Sequence, residues 1–297
     1  MTTESTWFSD DDEKITREAL EERGACGATA LIALGVKPDD VVAVVMRNDV
    51  AHCEIMRAVA LAGATLCPLN WHGAANEVVD ILDDCGAQVV IVHRDLLPPL
   101  EAALAGRTVI GVTPGAALVK AYRAEAPNAR PDLPEWAHLR DAAAPIEGRT
   151  HMRPMLRYTS GSTGKPKGIL RRHADRTVDY YEIVKNIAVK MMKMRPGGRF
   201  LTAAPLYHSA PSTLSAMCLS MEEMSLHVEP RFDAERFLAR IERDRITHIY
   251  LVPTMMVRML KLPQEVKDRY DVSSVEFCIS TGSPWPHEVK MAMIDWW

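Results

Sequence analysis

Apolar and polar positions along this chain alternate between the helical and the strand period. From Thr16, the positions Leu20, Ala25, Ala28, Ala30 and Leu34 keep one apolar side, and Gly35 stops the helix they predict. Val41–Val45 is an unbroken apolar run, as expected of a parallel strand covered on both faces. The pattern then predicts a helix over 51–61, a short strand near Thr65, a helix over Ala75–Asp84 and a strand over Gln88–Val92. A helix to Leu104 and a strand over Thr108–Val112 follow. Such alternation predicts a doubly wound α/β layer.

The pattern weakens at two places. Residues 1–14 are acidic and are expected to fray. Pro114, Pro127, Pro131, Pro134 and Pro145 punctuate residues 113–150, which read as a surface excursion with short helices. Beyond them, Ala174–Met194 is a long helical candidate closed by Pro196. Strands are expected at Phe200–Ala203, Ser225–Val228, His248–Val252 and Val275–Ser280, with helices over Ala234–Arg243, after Pro253 and at the end. The last helix carries Met291, Met293, Ile294, Trp296 and Trp297, an apolar ending that predicts further sequence downstream.

Composition narrows the class. The 297 residues are 47% hydrophobic with a formal net charge of −4, so no general nucleic-acid or membrane footprint is expected. A core burying roughly 75% of the unfolded surface is within reach at this length. The N-terminus lacks the layout of a signal peptide. The longest uncharged stretch, 58–76, is broken by Pro68, Asn70 and His72, so no membrane span is predicted. Six cysteines without a C-x-x-C pair are expected to be reduced thiols in a cytoplasmic protein.

The richest chemistry lies in Tyr158–Gly168, Tyr-Thr-Ser-Gly-Ser-Thr-Gly-Lys-Pro-Lys-Gly. Glycines let backbone N–H groups converge into an anion-binding nest, hydroxyls add short donors, and a lysine adds charge; the natural guest is a polyphosphate. The common P-loop needs glycine at 159 and Ser or Thr at 166, where Thr159 and Pro166 stand. The string instead resembles the phosphate loop of the adenylate-forming enzymes: acyl-CoA synthetases, adenylation domains of peptide synthetases, and luciferases.

Other segments resemble the same family. Pro68-Leu-Asn70 with Glu77 looks like the segment after its second strand. Pro205-Leu-Tyr-His208 is similar to its Pro-Leu-aromatic-His motif, and Val252-Pro-Thr254 to the strand end at the acyl pocket. Thr281-Gly-Ser-Pro284 resembles the turn that seats adenine. Metal and nucleophile readings fail: His52-Cys-Glu54 has no cysteine partner motif, His287-Glu288 lacks a histidine at 291, and Gly161–Gly164 is no nucleophile elbow.

The resemblance implies a reaction in two halves, attack of a carboxylate on Mg-ATP to give acyl-adenylate and then displacement of AMP by a thiol. It assigns Thr159, Ser160, Gly161, Ser162, Thr163, Gly164 and Lys167 to the phosphates, with Thr163 also at Mg2+ and Lys167 catalytic through its charge. Lys165 is left in solvent. Thr281, Gly282, Ser283 and Pro284 go to the nucleotide. Tyr207, His208, Pro253 and Thr254 go to the acid substrate, with His208 also catalytic. It further implies an α/β fold of two doubly wound subdomains, truncated before the β-barrel and C-terminal domain of the family. The first would cover 49–194, and the second 1–48 with 195–297. The partners implied are ATP, Mg2+, coenzyme A and a small fatty or aromatic carboxylic acid, with no nucleic acid; homo-oligomerisation stays open. Because the downstream Y-G-x-T-E and T-G-D motifs, the hinge and the C-terminal lysine are absent, this chain alone is expected to bind nucleotide at best weakly. It is not expected to complete thioester synthesis. Two alternatives stand beside the ligase: an adenylation domain loading a carrier protein, and a non-catalytic nucleotide-binding remnant.

Overall fold

The computed structural model describes residues 6–148, 152–159, 166–170, 180–221 and 223–297. Two strands, β1 (Trp7–Ser9) and β2 (Lys14–Thr16), precede helix α1 (Arg17–Ala33). Then come β3 (Val41–Val45), α2 (Val50–Leu61), β4 (Thr65–Pro68), α3 (Ala75–Cys85), β5 (Val89–His93) and β6 (Thr108–Val112). Short helices α4 (Ala116–Tyr122) and α5 (Trp136–Asp141) lead to the hairpin β7 (Arg157–Thr159) and β8 (Lys167–Ile169), and to α6 (Tyr180–Lys190). The last third holds β9 (Arg199–Thr202), α7 (Ser209–Leu219), β10 (Ser225–Val228), α8 (Ala234–Asp244) and β11 (His248–Tyr250). It closes with α9 (Pro253–Leu260), α10 (Gln264–Lys267), β12 (Phe277–Ile279) and α11 (His287–Trp296).

The strands form a four-stranded sheet in the order β4-β3-β5-β6 and a six-stranded sheet in the order β12-β11-β9-β10-β1-β2. All pairs are parallel except β1 with β2. Alternation within the strands builds three apolar layers. Val42 and Val44 of β3, with Phe200 and Leu226 of the other sheet, share a core with α1, α2 and α7. Ala43 and Val45 face the opposite way, onto α3. Leu201 and Ile249 face α8 and α9. The α/β expectation holds in both sheets.

The expected division places residues 1–48 with the second subdomain, yet Val41–Val45 pairs with β4 and β5. A parallel crossover through α2 sets β4 beside β3 and keeps β3 in the first sheet. The expected helix to Leu104 is replaced by two 3-10 turns, Arg94–Leu96 and Pro98–Leu100, where two adjacent prolines remove helical donors. Helix α7 was not anticipated. Of the long helix expected at 174–194, residues 174–179 lie outside the described ones, and the described helix runs from Tyr180 to Lys190. All six cysteines are free.

The N-terminus corrects another expectation. Residues 7–16 do not fray, because Trp7 and Phe8 are buried and β1 pairs with β10, Phe8 opposite Leu226. The acidic residues that suggested fraying are taken up by donors. Asp11 pairs with Arg236 and Arg240, and Asp12 accepts from the N–H of Ala117 at 2.8 Å. Asp10 accepts from the N–H groups of Asp12, Glu13 and Val50 at 2.6, 2.9 and 2.7 Å.

Burial, and then the nearby Asp49 carboxylate, raise the pKa of Asp10 from 3.8 to about 6 in spite of those donors. Between these values the folded chain holds a proton that the unfolded chain releases, so this group costs stability as pH rises from about 4 to about 6. A displacement of that size is worth about 3 kcal/mol. Urea unfolding of wild type and Asp10→Asn across that range is expected to show a steeper fall in wild type. Identical pH profiles would refute it.

Candidate active site

The hairpin β7–β8 pairs Thr159 with Lys167, Tyr158 with Gly168 and Arg157 with Ile169. It forms a short stem, and Thr159 and Lys167, the paired residues on either side of 160–166, are both exposed. Ser160, Gly161, Ser162, Thr163 and Gly164, with Lys165, lie outside the described residues.

The stem is anchored on three sides. Before it, the N–H of Leu156 donates to the carbonyl of Leu66 in β4 at 2.9 Å. The Tyr158 hydroxyl donates to Asp84 at the end of α3. Burial first, and this carboxylate second, push the phenol's pKa well above its ordinary value. A Cβ on Gly168 would meet the Tyr158 ring at 3.0 Å, so the cross-strand ring packs closely over the glycine. Arg157 reaches the other way and donates to Thr213 Oγ1 of α7 at 2.6 Å.

The remaining expected residues gather at one edge of the six-stranded sheet. Pro205–His208 follow β9, Val252–Thr254 follow β11, and Thr281–Pro284 follow β12. These three strands are neighbours and parallel, so all three segments leave their carboxyl ends side by side. In an open α/β sheet this is where ligand crevices form. Pro253 occupies the first turn of α9, as its fixed φ favours, and Thr254 is exposed beside it. The turn at 281–284 is exposed, and Gly282 has φ +86°, a left-handed conformation that side chains disfavour. The hydroxyl of buried Tyr250 donates to the carbonyl of Thr281 at 3.1 Å and ties this turn to β11.

Tyr207 and His208 stand with ring centroids 4.3 Å apart, and His208 is the N-cap residue of α7. Desolvation lowers the pKa of His208 below the ordinary imidazole value, leaving a neutral ring at neutral pH; burial raises that of Tyr207. A neutral imidazole can accept or donate one hydrogen bond without adding charge to the crevice.

The segment carrying these rings is held by Asn48, which sequence reasoning missed. Its side chain is buried; Oδ1 accepts from the N–H of Leu206 at 2.9 Å, and Nδ2 donates to the carbonyls of Ala204 and Glu229 at 3.0 and 3.2 Å. Asn48 lies just beyond β3, so it joins the carboxyl ends of both sheets. Nothing in the local pattern distinguishes it from a turn residue. Pro68 ends β4, and Asn70 starts the turn after it, accepting from the N–H of His72 at 3.0 Å.

Among the described residues, Asp11, His227 and Glu229 bring potential metal ligands within 4.8 Å of one another. Arg240 donates to both carboxylates, at 2.5 and 3.1 Å, and Arg236 pairs with both as well. With each carboxylate giving one oxygen to Arg236 and the other to Arg240, the cluster is an ion-pair network. No described helix is long and apolar enough to cross a membrane.

Residues 2–297 match the family of AMP-binding enzymes. A feruloyl-CoA synthase of an Amycolatopsis species is 30% identical over 281 residues, which are 95% of this chain and 52% of that protein. A long-chain-fatty-acid–CoA ligase of Mycobacterium tuberculosis is 29% identical over 87% of this chain and 48% of its own length. The chain thus spans about half the length of these curated relatives. In fold it resembles a solved fatty acyl CoA synthetase of Mycobacterium tuberculosis, with a TM-score of 0.78 at 23% identity, over 98% of this chain and 55% of that one.

Proposed function

This chain belongs to the AMP-binding enzyme family, and from that premise we propose that it carries the ATP grip and acid crevice of an AMP-forming acid–thiol ligase. The whole protein activates a fatty or aromatic carboxylic acid as its adenylate and passes the acyl group to coenzyme A. The observation that carries this reading is the hairpin stem. It sets Thr159 opposite Lys167 and so frames the Gly/Ser/Thr run between them.

In this reading Mg-ATP enters as substrate, its terminal phosphates held between the loop and Lys167. Thr163, the residue assigned to the magnesium ion by resemblance, lies outside the described residues. The acid lies against Tyr207 and His208, with Pro253 and Thr254 across the crevice, and the Thr281–Pro284 turn seats adenine. When the carboxylate attacks the α-phosphorus, the bond to pyrophosphate breaks and charge builds on the departing group. Donors fixed in advance, with the Lys167 ammonium among them, act most strongly at that moment. The neutral His208 flanks the reacting carboxyl without repelling or capturing it. The names of the feruloyl-CoA synthase and the fatty-acid ligase support both acid classes and do not separate them.

The test is calorimetric titration of the purified chain with Mg-ATP, beside Lys167→Ala. Saturable binding is expected, weakened roughly tenfold to a hundredfold by the substitution, the range of one charge-assisted hydrogen bond. A folded chain that takes up no nucleotide, or binds it equally well without Lys167, would overturn the reading.

A further inference from the structure

We infer that Arg157 and Thr213 are positioning residues that couple the phosphate-loop stem to His208. The inference rests on the nucleotide and acid sites proposed above and adds a connection between them. Arg157 Nη2 donates to Thr213 Oγ1 at 2.6 Å, and that oxygen's own proton is donated to the carbonyl of Ser209, also at 2.6 Å. Ser209 is the first residue of α7, directly after His208. Arg157 Nη2 also lies 3.4 Å from Ser212 Oγ, and the N–H of Ser212 donates to the carbonyl of His208 at 3.2 Å. One guanidinium therefore reaches two adjacent residues near the start of α7, each bonded to a carbonyl at or beside the histidine.

The other end of this link is equally defined. Arg157 begins β7, two residues before Thr159 at the loop mouth, and Tyr158 between them is pinned to Asp84. A short stem anchored on both faces moves as a unit, so a displacement at Thr159 and Lys167 reaches the N-cap of α7 through Arg157. The threonine hydroxyl suits the relay because it accepts from the arginine and passes its proton onward, which a methyl group cannot do. Occupation of the loop and the placement of the ring that meets the acid thus depend on each other.

Imidazole NMR of the intact chain tests this, with the His208 signal assigned by its loss in His208→Gln. In the free chain, Arg157→Gln and Thr213→Val are each expected to move the His208 resonances and their titration. The double variant should move them no further than the larger single change, because both cut one link. Thr213→Ser keeps the hydroxyl and should restore the wild-type signal; a merely structural role for this residue would leave His208 unmoved in folded Thr213→Val. Mg-ATP should shift His208 in wild type, and that response should be lost in Thr213→Val while nucleotide affinity changes by less than about threefold. Unmoved His208 signals in both single variants, or additive shifts in the double, overturn the coupling. If no nucleotide binds, the proposed function falls while the free-chain measurements still decide this inference.

Discussion

Trp136→Ala is expected to destabilise the protein by about 3–5 kcal/mol, the range for deleting a large buried aromatic side chain. Only 1% of Trp136 is exposed. Its indole N–H donates to Glu54 Oε1 at 2.5 Å, and the ring packs where a Cβ on Gly27 would meet it at 2.7 Å. The truncation therefore opens a cavity between α1, α2 and α5. It also takes a donor from Glu54, a fully buried carboxylate whose pKa is raised by burial and which is otherwise held by Arg140 at 3.0 and 2.8 Å. Both costs act in the same direction, cavity formation and weaker compensation of a buried charge. Urea unfolding should show a lower midpoint with an unchanged slope. A loss below about 1 kcal/mol would mean that α5 does not dock on α1 and α2 in solution.

Asn48→Ala should cost about 3 kcal/mol or more, and its effect should be felt at the site. The substitution leaves the N–H of Leu206 and the carbonyls of Ala204 and Glu229 without their partner. Each such buried group carries a penalty of about 1–3 kcal/mol, less than additive where the loop can relax. Relaxation is itself a readout, since it frees the segment bearing Tyr207 and His208. Amide exchange at 205–208 should accelerate beyond what the global loss of stability explains. Asn48→Asp is expected to do no better, because a carboxylate would face two carbonyl oxygens. Wild-type stability in Asn48→Asp would show that the clamp is unimportant.

Much of this architecture was legible in the residues. Val41–Val45 and Gln88–Val92 announce buried parallel strands because a strand covered on both faces must be apolar at every position. The amphipathic spacing that predicts the helix over Ala234–Arg243 is observed almost to the residue. Composition alone singles out Tyr158–Gly168, since few roles other than polyphosphate binding call for glycine, hydroxyl and lysine at such density. The order of the motifs likewise predicted which strand ends carry Pro205–His208, Val252–Thr254 and Thr281–Pro284.

What local pattern could not supply are contacts between residues far apart in sequence. The N-terminal acids suggest a frayed end until β1 meets β10, more than two hundred residues later, and arginines of α8 neutralise Asp11. Trp136 sits in a stretch rich in proline and alanine, and only the docking of α5 reveals its burial. Asn48, Arg157 and Thr213 carry no periodic signal at all. Hydrophobic periodicity records which face of an element leaves water, a property of neighbouring residues, and it is readable wherever the element is long enough. A single polar side chain beyond one sheet that satisfies buried groups of the other is defined by its partners' positions. Local pattern reports most of the elements and marks the Tyr158–Gly168 string, whereas contacts between distant residues fix the β7–β8 stem against α7, whose N-cap is His208.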